Sequence, residues 1–360
     1  MLYICAYEKN PALPYMQYIS SARQKLTMKI GTHSGHFHAD EALAVWMLKT
    51  LPEFSSAEVV RSRDPAVLDQ CDIVVDVGGK YEAPKWYDHH QREFTTTFDA
   101  EHTTTKLSSA GLVYKHYGKQ VVTQLLSKQL AAAQPDSVKK RKLDVAEIAD
   151  AVYPEAYNTF IEPVDALDNG VNAYKEKPAY KLQSMTLQSL VGNLSPLPVE
   201  DNSDAAVDAQ FHKASELMGL AFEAEIRSLG LGWYPSREAV RQAYEQRFQY
   251  DSKGRIMVLA EPAFWKEFLE QFEKENKESG EVLYVLYPTP DSTRVQAVAK
   301  EPGSFESRKA LPAPWRGVRD AALSEVTGVD GGVFVHASGF IGGNKTFDGA
   351  LAMAKKAADF

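Results

Sequence analysis

DIVVDVGG, residues 72–79, decides the fold class. Ile73, Val74 and Val75 are consecutive β-branched residues with no polar alternation, the pattern of a strand buried on both faces of a parallel sheet. Gly78-Gly79 ends the run. Asp76 closes the apolar stretch, and a buried carboxylate without a partner is costly. Ligands of open α/β sheets collect at the carboxyl ends of the strands, where Asp76 falls. A helix or turn cap explains Asp76 equally well in isolation. Its neighbours favour a ligand.

Upstream, MKIGT (28–32) reads as a strand running into a loop that carries His33, His36, His38 and Asp40. The apolar ALAVWMLKTL (42–51) that follows reads as a helix packed on the sheet, and AEVVR (57–61) as a second strand. Downstream, Trp86-Tyr87 leads into Asp88-His89-His90. Segment 162–170, EPVDALDNG, holds Asp165 and Asp168, with Asn169-Gly170 as a helix stop. Five of the nine histidines lie within 31–41 and 86–90. Imidazoles and carboxylates gathered in this way suit a pair of divalent cations of the Mn²⁺ or Mg²⁺ kind. Adjacent histidines on an extended chain point to opposite sides, so one reads as a metal ligand and the other as a phosphate-facing donor. Asp165 reads as a ligand, and Asp168, on the same helical face, either binds metal beside it or only orients it.

The chain of 360 residues has room for two cores. Its 44% hydrophobic and 24% charged content is that of a globular protein, and no apolar run reaches the ~20 residues a membrane helix needs. Cys5 and Cys71 form no disulfide framework or zinc spacing, which favours a reducing compartment. A net charge of -8 argues against a wholly basic nucleic-acid coat but permits a local basic groove. Residues 1–28 contain one acid, Glu8, and read either as a mitochondrial presequence or as a flexible extension.

SSAGLVYKHY (108–117) opens a helix, and Ser108 or Ser109 there either meets substrate phosphate or caps the helix. Within 135–144, the run Lys139, Lys140, Arg141, Lys142 reads as a nuclear localisation signal or a solvated loop. Residues 191–204, rich in proline and small polar residues, read as a linker between a domain at 29–190 and another at 205–360. The second domain alternates strands with helices, a second α/β layer. Its stretch 294–319 interleaves Arg308, Lys309 and Arg316 with Phe305 and Trp315, fitting either a groove for single-stranded nucleic acid or a charged loop. In HASGFIGGNK (336–345), His336, Gly342 and Gly343 either admit a ligand close to the backbone or merely form a turn.

Four ordered blocks, GTHSGHFHADEALA, IVVDVGG, YDHHQREF and EPVDALDNG, resemble the DHH phosphoesterase superfamily, and more closely its MYG family of exonucleases. EPGSFESRKALPAPWRG and FVHASGFIGG extend the resemblance from about Lys29 to the C-terminus. It implies an α/β fold: a parallel-sheet DHH domain with two metals, usually Mn²⁺, and a smaller C-terminal α/β domain across a cleft. Matched to the family's motifs, His36, His38, Asp40, Asp76, Asp88, His89 and Asp165 would hold metal. Asp76, Asp88 and His90 would act at the scissile phosphate. Asn344 stands where many relatives of the superfamily continue GGGH. The resemblance further implies a metal-dependent phosphodiesterase acting as a 3′→5′ exoribonuclease on single-stranded RNA, in nucleus and mitochondrion, with no membrane partner. Its rivals are a phosphatase of pyrophosphate or dinucleotides and a non-catalytic RNA- or partner-binding protein.

Overall fold

The computed structural model describes residues 27–141, 143–174, 176, 180, 185–277, 280–301 and 303–360. Residues 1–26 of the leader and Lys142 of the basic run lie outside the described residues.

The β-branched run forms β3 (Ile73–Val75), buried throughout and flanked by β1 (Lys29–Thr32) and β5 (Trp86–Tyr87). With β2 (Glu58–Arg61) and β4 (Tyr81–Glu82) the sheet order is β2-β1-β3-β5-β4, parallel except for the edge strand β4. His33 follows β1, Asp76 follows β3, and Asp88 follows β5. Parallel pairing therefore delivers three chemically active residues to one end of the sheet, as expected of strands joined by crossovers.

α1 (Ala39–Thr50) is buried on nearly every side, which explains why it is apolar all round rather than striped. A short α2 (Pro65–Leu68) precedes β3. α3 (Ser109–Ala132) packs on α1, and α4 (Pro135–Arg141) forms where a polar interruption is expected. α5 (Val145–Ala156), a π-helical turn at Tyr157–Ile161 and α6 (Glu162–Asp168) run on without a break. The π turn rotates α6 relative to α5 and sets the directions of its two aspartates, a common role of such turns near functional sites.

After α7 (Leu187–Gly192) comes α8 (Asp204–Ser228), capped by the Ser203 hydroxyl. Phe211, Ala214, Met218, Phe222 and Ile226 of α8 belong to the same core as Ile30, Leu43 and Val75. Ser215 Oγ donates to the Ala42 carbonyl of α1 at 2.9 Å. Packing thus changes hands after α8, later than the compositional break at 191–204. A polar, proline-containing stretch marks a loop, not the limit of a core.

A further π turn at Leu229–Trp233 leads to α9 (Tyr234–Glu245). The second sheet comprises β6 (Ile256–Val258), β7 (Tyr284–Thr289), β8 (Ser292–Ala297), β9 (Gly332–Val335) and β10 (Ile341–Asn344), in the order β6-β7-β8-β10-β9. Only β6 and β7 pair in parallel. One face packs on α12 (Phe347–Asp359) and Leu323 of α11 (Asp320–Thr327), the other on α9 and α10 (Lys266–Asn276).

Gly219 of α8 lies so close to the Trp46 ring of α1 that an added Cβ would overlap it. Gly219→Ala should lower stability by about 1–3 kcal/mol through overpacking. Urea unfolding followed by tryptophan fluorescence measures it; an unchanged midpoint would detach α8 from the first core.

Candidate metal centre

Three groups of imidazole and carboxylate side chains meet at the carboxyl ends of β1 and β3 and the N-terminus of α1. His33, His38, Glu41 and Asp76 form one; Asp76, His89 and His90 a second; His38, Asp40 and Asp168 a third, with donor atoms in each group within 4.8 Å of one another. Asp76 is common to the first two groups and His38 to the first and third.

Asp76 adopts a left-handed backbone, φ +58°, which breaks the strand and turns its carboxylate across the strand ends. Aspartate is among the few non-glycine residues that tolerate this region. Its Oδ2 lies 3.3 Å from His33 Nε2, and its Oδ1 lies 3.4 Å from His89 Nε2. Ser109 Oγ donates to Oδ1 at 3.1 Å. Burial works against the Asp76 charge, but His33 and His89 outweigh it and hold the carboxyl below the usual range.

A proton on His33 Nδ1 reaches the Ser34 carbonyl at 3.3 Å, leaving Nε2 to face Asp76 and, at 3.1 Å, Glu41 Oε1. This is the usual way a backbone carbonyl fixes the tautomer of a metal-binding histidine. Glu41 Oε1 also accepts from the His38 backbone N–H at 2.7 Å, closing a capping box at the start of α1. His89 Nε2 lies 3.0 Å from Asp168 Oδ2. It is aligned with neither neighbouring carboxylate as a hydrogen bond. Burial disfavours charged His33 and His89, yet their acidic neighbours lift them to about 9 and about 10. A cation bound here competes with protons for both rings.

The donor set fits divalent cations. Both Asp40 carboxylate oxygens, Glu41 Oε2 and His89 Nε2 are buried without a hydrogen-bond partner. Burial, followed by the charges of Asp76 and Asp168, pushes the Asp40 carboxyl well above its ordinary range. Crowded, unpartnered acids facing imidazoles are stabilised by positive charge among them. Oxygen and imidazole donors without thiolates suit Mn²⁺ or Mg²⁺.

The expected ligands His38, Asp40, Asp76 and His89 are brought together; His36, Asp88 and Asp165 are not. His36 is exposed on the loop, and His33 takes its place. Asp88 spends its oxygens on Gly79 N–H at 2.6 Å, His90 N–H at 3.1 Å and His90 Nδ1 at 2.7 Å, so it positions His90. These bonds fold 88–90 into a turn. The His89 and His90 rings lie 4.4 Å apart instead of pointing to opposite sides.

Asp165 is fully buried and accepts from Ser108 N–H at 2.9 Å, Ser108 Oγ at 2.8 Å and Tyr157 OH at 3.2 Å. It caps α3 from another helix, and Gly111 leaves room that a Cβ would fill. Burial pushes its carboxyl up to about 7 despite these donors. Asp165 thus orients where a ligand is expected, and of the two readings of Asp168 the one that faces the centre holds. Sequence reasoning also passed over Glu41, although its place three residues after a helix-capping position is a readable signal.

The expected substrate contacts are largely engaged within the fold. Ser108 and Ser109 are buried beneath the centre and hold Asp165 and Asp76. Arg308 grips Glu273 with two bonds of 2.7 Å, and Lys309 donates to the Ala358 carbonyl at 3.0 Å. Arg316 Nε donates to the Leu311 carbonyl at 2.8 Å. Gly342 and Gly343 lie inside β10, where added Cβ atoms would crowd Phe334 and Arg294, so close packing accounts for them. His336 is exposed and bonded to Ser338.

A family described as an uncharacterised protein family (UPF0160), MYG1_exonuc, matches residues 29–358. A MYG1 protein of Schizosaccharomyces pombe is 45% identical over 337 residues, covering 92% of this chain and 98% of that one. The MYG1 exonuclease of Homo sapiens is 43% identical over 335 residues, covering 91% and 85%. Among solved structures, RecJ in complex with Mn²⁺ from Thermus thermophilus aligns with a TM-score of 0.23 at 13% identity, over 92% of this chain and 52% of that one. Similarity that remote carries no argument about chemistry.

Asp168→Asn should abolish binding of at least one Mn²⁺, whereas Asp165→Asn should keep the metal count and lower thermal stability. Metal analysis after gel filtration separates them; metal loss in Asp165→Asn alone would reverse the assignment. Arg308→Ala leaves Glu273 buried without its ionic partner, so it should destabilise by about 3–5 kcal/mol. Weaker RNA binding at unchanged stability would restore Arg308 to the substrate surface.

Proposed function

The chain belongs to the MYG1 exonuclease family (UPF0160), and from that premise we propose that it is a metal-dependent phosphodiesterase releasing nucleotides from the 3′ end of single-stranded RNA. One observation carries this reading: a single buried carboxylate, Asp76, is shared by two ligand groups. That is the arrangement a two-metal phosphodiesterase needs at its centre. His33, His38 and Glu41 would hold one cation with Asp76, and His89 would hold the other with the same Asp76, beside Asp168 and Asp40. When bound, such cations offset phosphate charge and make water more acidic.

The remaining roles fall to side chains. His90 is 62% exposed, and Asp88 takes its Nδ1, so Nε2 is turned to the open side as a donor to the scissile phosphate or leaving oxygen. The Asp88 hydrogen bond, stronger than the burial that opposes it, raises the His90 pKa and favours the protonated form a donor needs. Ser109 fixes the Asp76 carboxylate, and Asp165 fixes the helix end that carries Ser109.

Engagement of Arg308 and Lys309 within the second domain favours one alternative at the same centre, hydrolysis of short substrates such as dinucleotides or pyrophosphate. We also propose that the protein acts in nucleus and mitochondrion, from the family resemblance.

End-labelled single-stranded RNA, incubated with Mn²⁺, Mg²⁺ or chelator, should shorten from its 3′ end only when metal is present. Asp76→Asn should abolish that activity with the fold retained. Turnover confined to dinucleotides or pyrophosphate would select the alternative, and activity in Asp76→Asn would dismiss the centre.

A further inference from the structure

Behind the third ligand group lies a cavity of about 190 Å³. His38, Asp40 and Asp168 form its polar wall, so it shares side chains with the metal centre. Its other walls are largely apolar and include Phe160, Val164, Leu187 and Met218. Gln188 lines it as well, and its side-chain amide is not engaged in a hydrogen bond among the described residues. The Thr159 hydroxyl, also on the wall, is already bonded to Glu155 and Glu225.

Apolar walls bordered by metal-binding carboxylates suit a group that is flat and apolar on its faces, polar at its edge, and attached to a phosphate. A second phosphate fits poorly against Phe160, Val164 and Met218, because a charged group gains nothing from an apolar wall. The volume falls below the ~300–1,000 Å³ of drug-sized sites and suits one ring system rather than a chain of nucleotides. We infer that this cavity receives the base of the terminal nucleotide while its phosphate lies at the metal centre, with Phe160 offering an apolar ring and Gln188 reading the base edge. The inference rests on the phosphodiesterase reading and adds to it a specificity pocket. A side-chain amide can both donate to and accept from a base edge, so Gln188 sets a preference among bases.

The test is calorimetric titration of the Mn²⁺-loaded full chain with the four nucleoside 5′-monophosphates and with ribose 5-phosphate. The base should tighten binding on the order of tenfold, within the range that base stacking supplies. Val164→Phe, which fills the cavity, should erase that difference and leave ribose 5-phosphate unchanged. Gln188→Ala, a smaller change that spares the fold, should alter the ranking of the four bases. Equal affinity for nucleotides and ribose 5-phosphate in the unmodified protein would overturn the pocket. So would Val164→Phe weakening both alike while Gln188→Ala leaves the ranking intact. Base-dependent binding without release of 3′ nucleotides from RNA would keep the pocket and reject the exonuclease. RNA hydrolysis with base-independent binding would do the reverse.

Discussion

Everything at this centre depends on one carboxylate held in an uncomfortable backbone. Asp76 sits at φ +58°, a region that costs on the order of 1–3 kcal/mol when the surroundings enforce it. Continuing β3 as a strand would carry the side chain past the imidazoles instead of between them. Its N–H still bonds to the Tyr87 carbonyl at 3.1 Å, so the turn begins with the sheet intact. One oxygen faces His33 and the other faces His89. The strain is the means by which one residue serves two ligand groups.

Support for Asp76 reaches well beyond its neighbours. Ser109 holds it from the first turn of α3, and Asp165 caps that same turn from α6. Tyr157, in the π turn before α6, donates to Asp165 in its turn. Asp165 and Asp168 are three positions apart, yet one is wholly buried under α3 while the other reaches His89. The helix that supplies a ligand thus also steadies the helix beneath the shared carboxylate.

These relations explain what the sequence made legible. The β-branched run, the glycines after it and the apolar α1 segment foretell a parallel sheet with a site at its carboxyl edge, because burial and periodicity are properties of a single segment. Choices between neighbours depend on partners elsewhere. Asp165 is held from a ligand role by Ser108, 57 positions away, and by Tyr157, and Arg308 from a phosphate contact by Glu273, 35 positions away. A run of cations looks the same whether it faces solvent or an internal carboxylate. Likewise, the period of α8 announces a buried face without saying which core receives it. His89 and His90 share a side because Asp88 bends the chain, a local bond that an extended-strand expectation leaves out.

The acids themselves pose the remaining question of how such a centre folds. Asp40 and Glu41 occupy the first turn of α1, where the partial positive charge of a helix end favours carboxylates. Asp165 lies over the equivalent end of α3. A helix end contributes about 0.3–1 kcal/mol to an exposed charge and up to ~2 kcal/mol in a partly buried site. Burying an ion costs several kcal/mol even after relaxation. The helix ends therefore fall short, and the raised pKa of Asp40 is the visible remainder. Protonated Asp40 resolves the deficit by losing its charge, and a cation resolves it by matching that charge. Folding and metal binding thus draw on the same electrostatic strain.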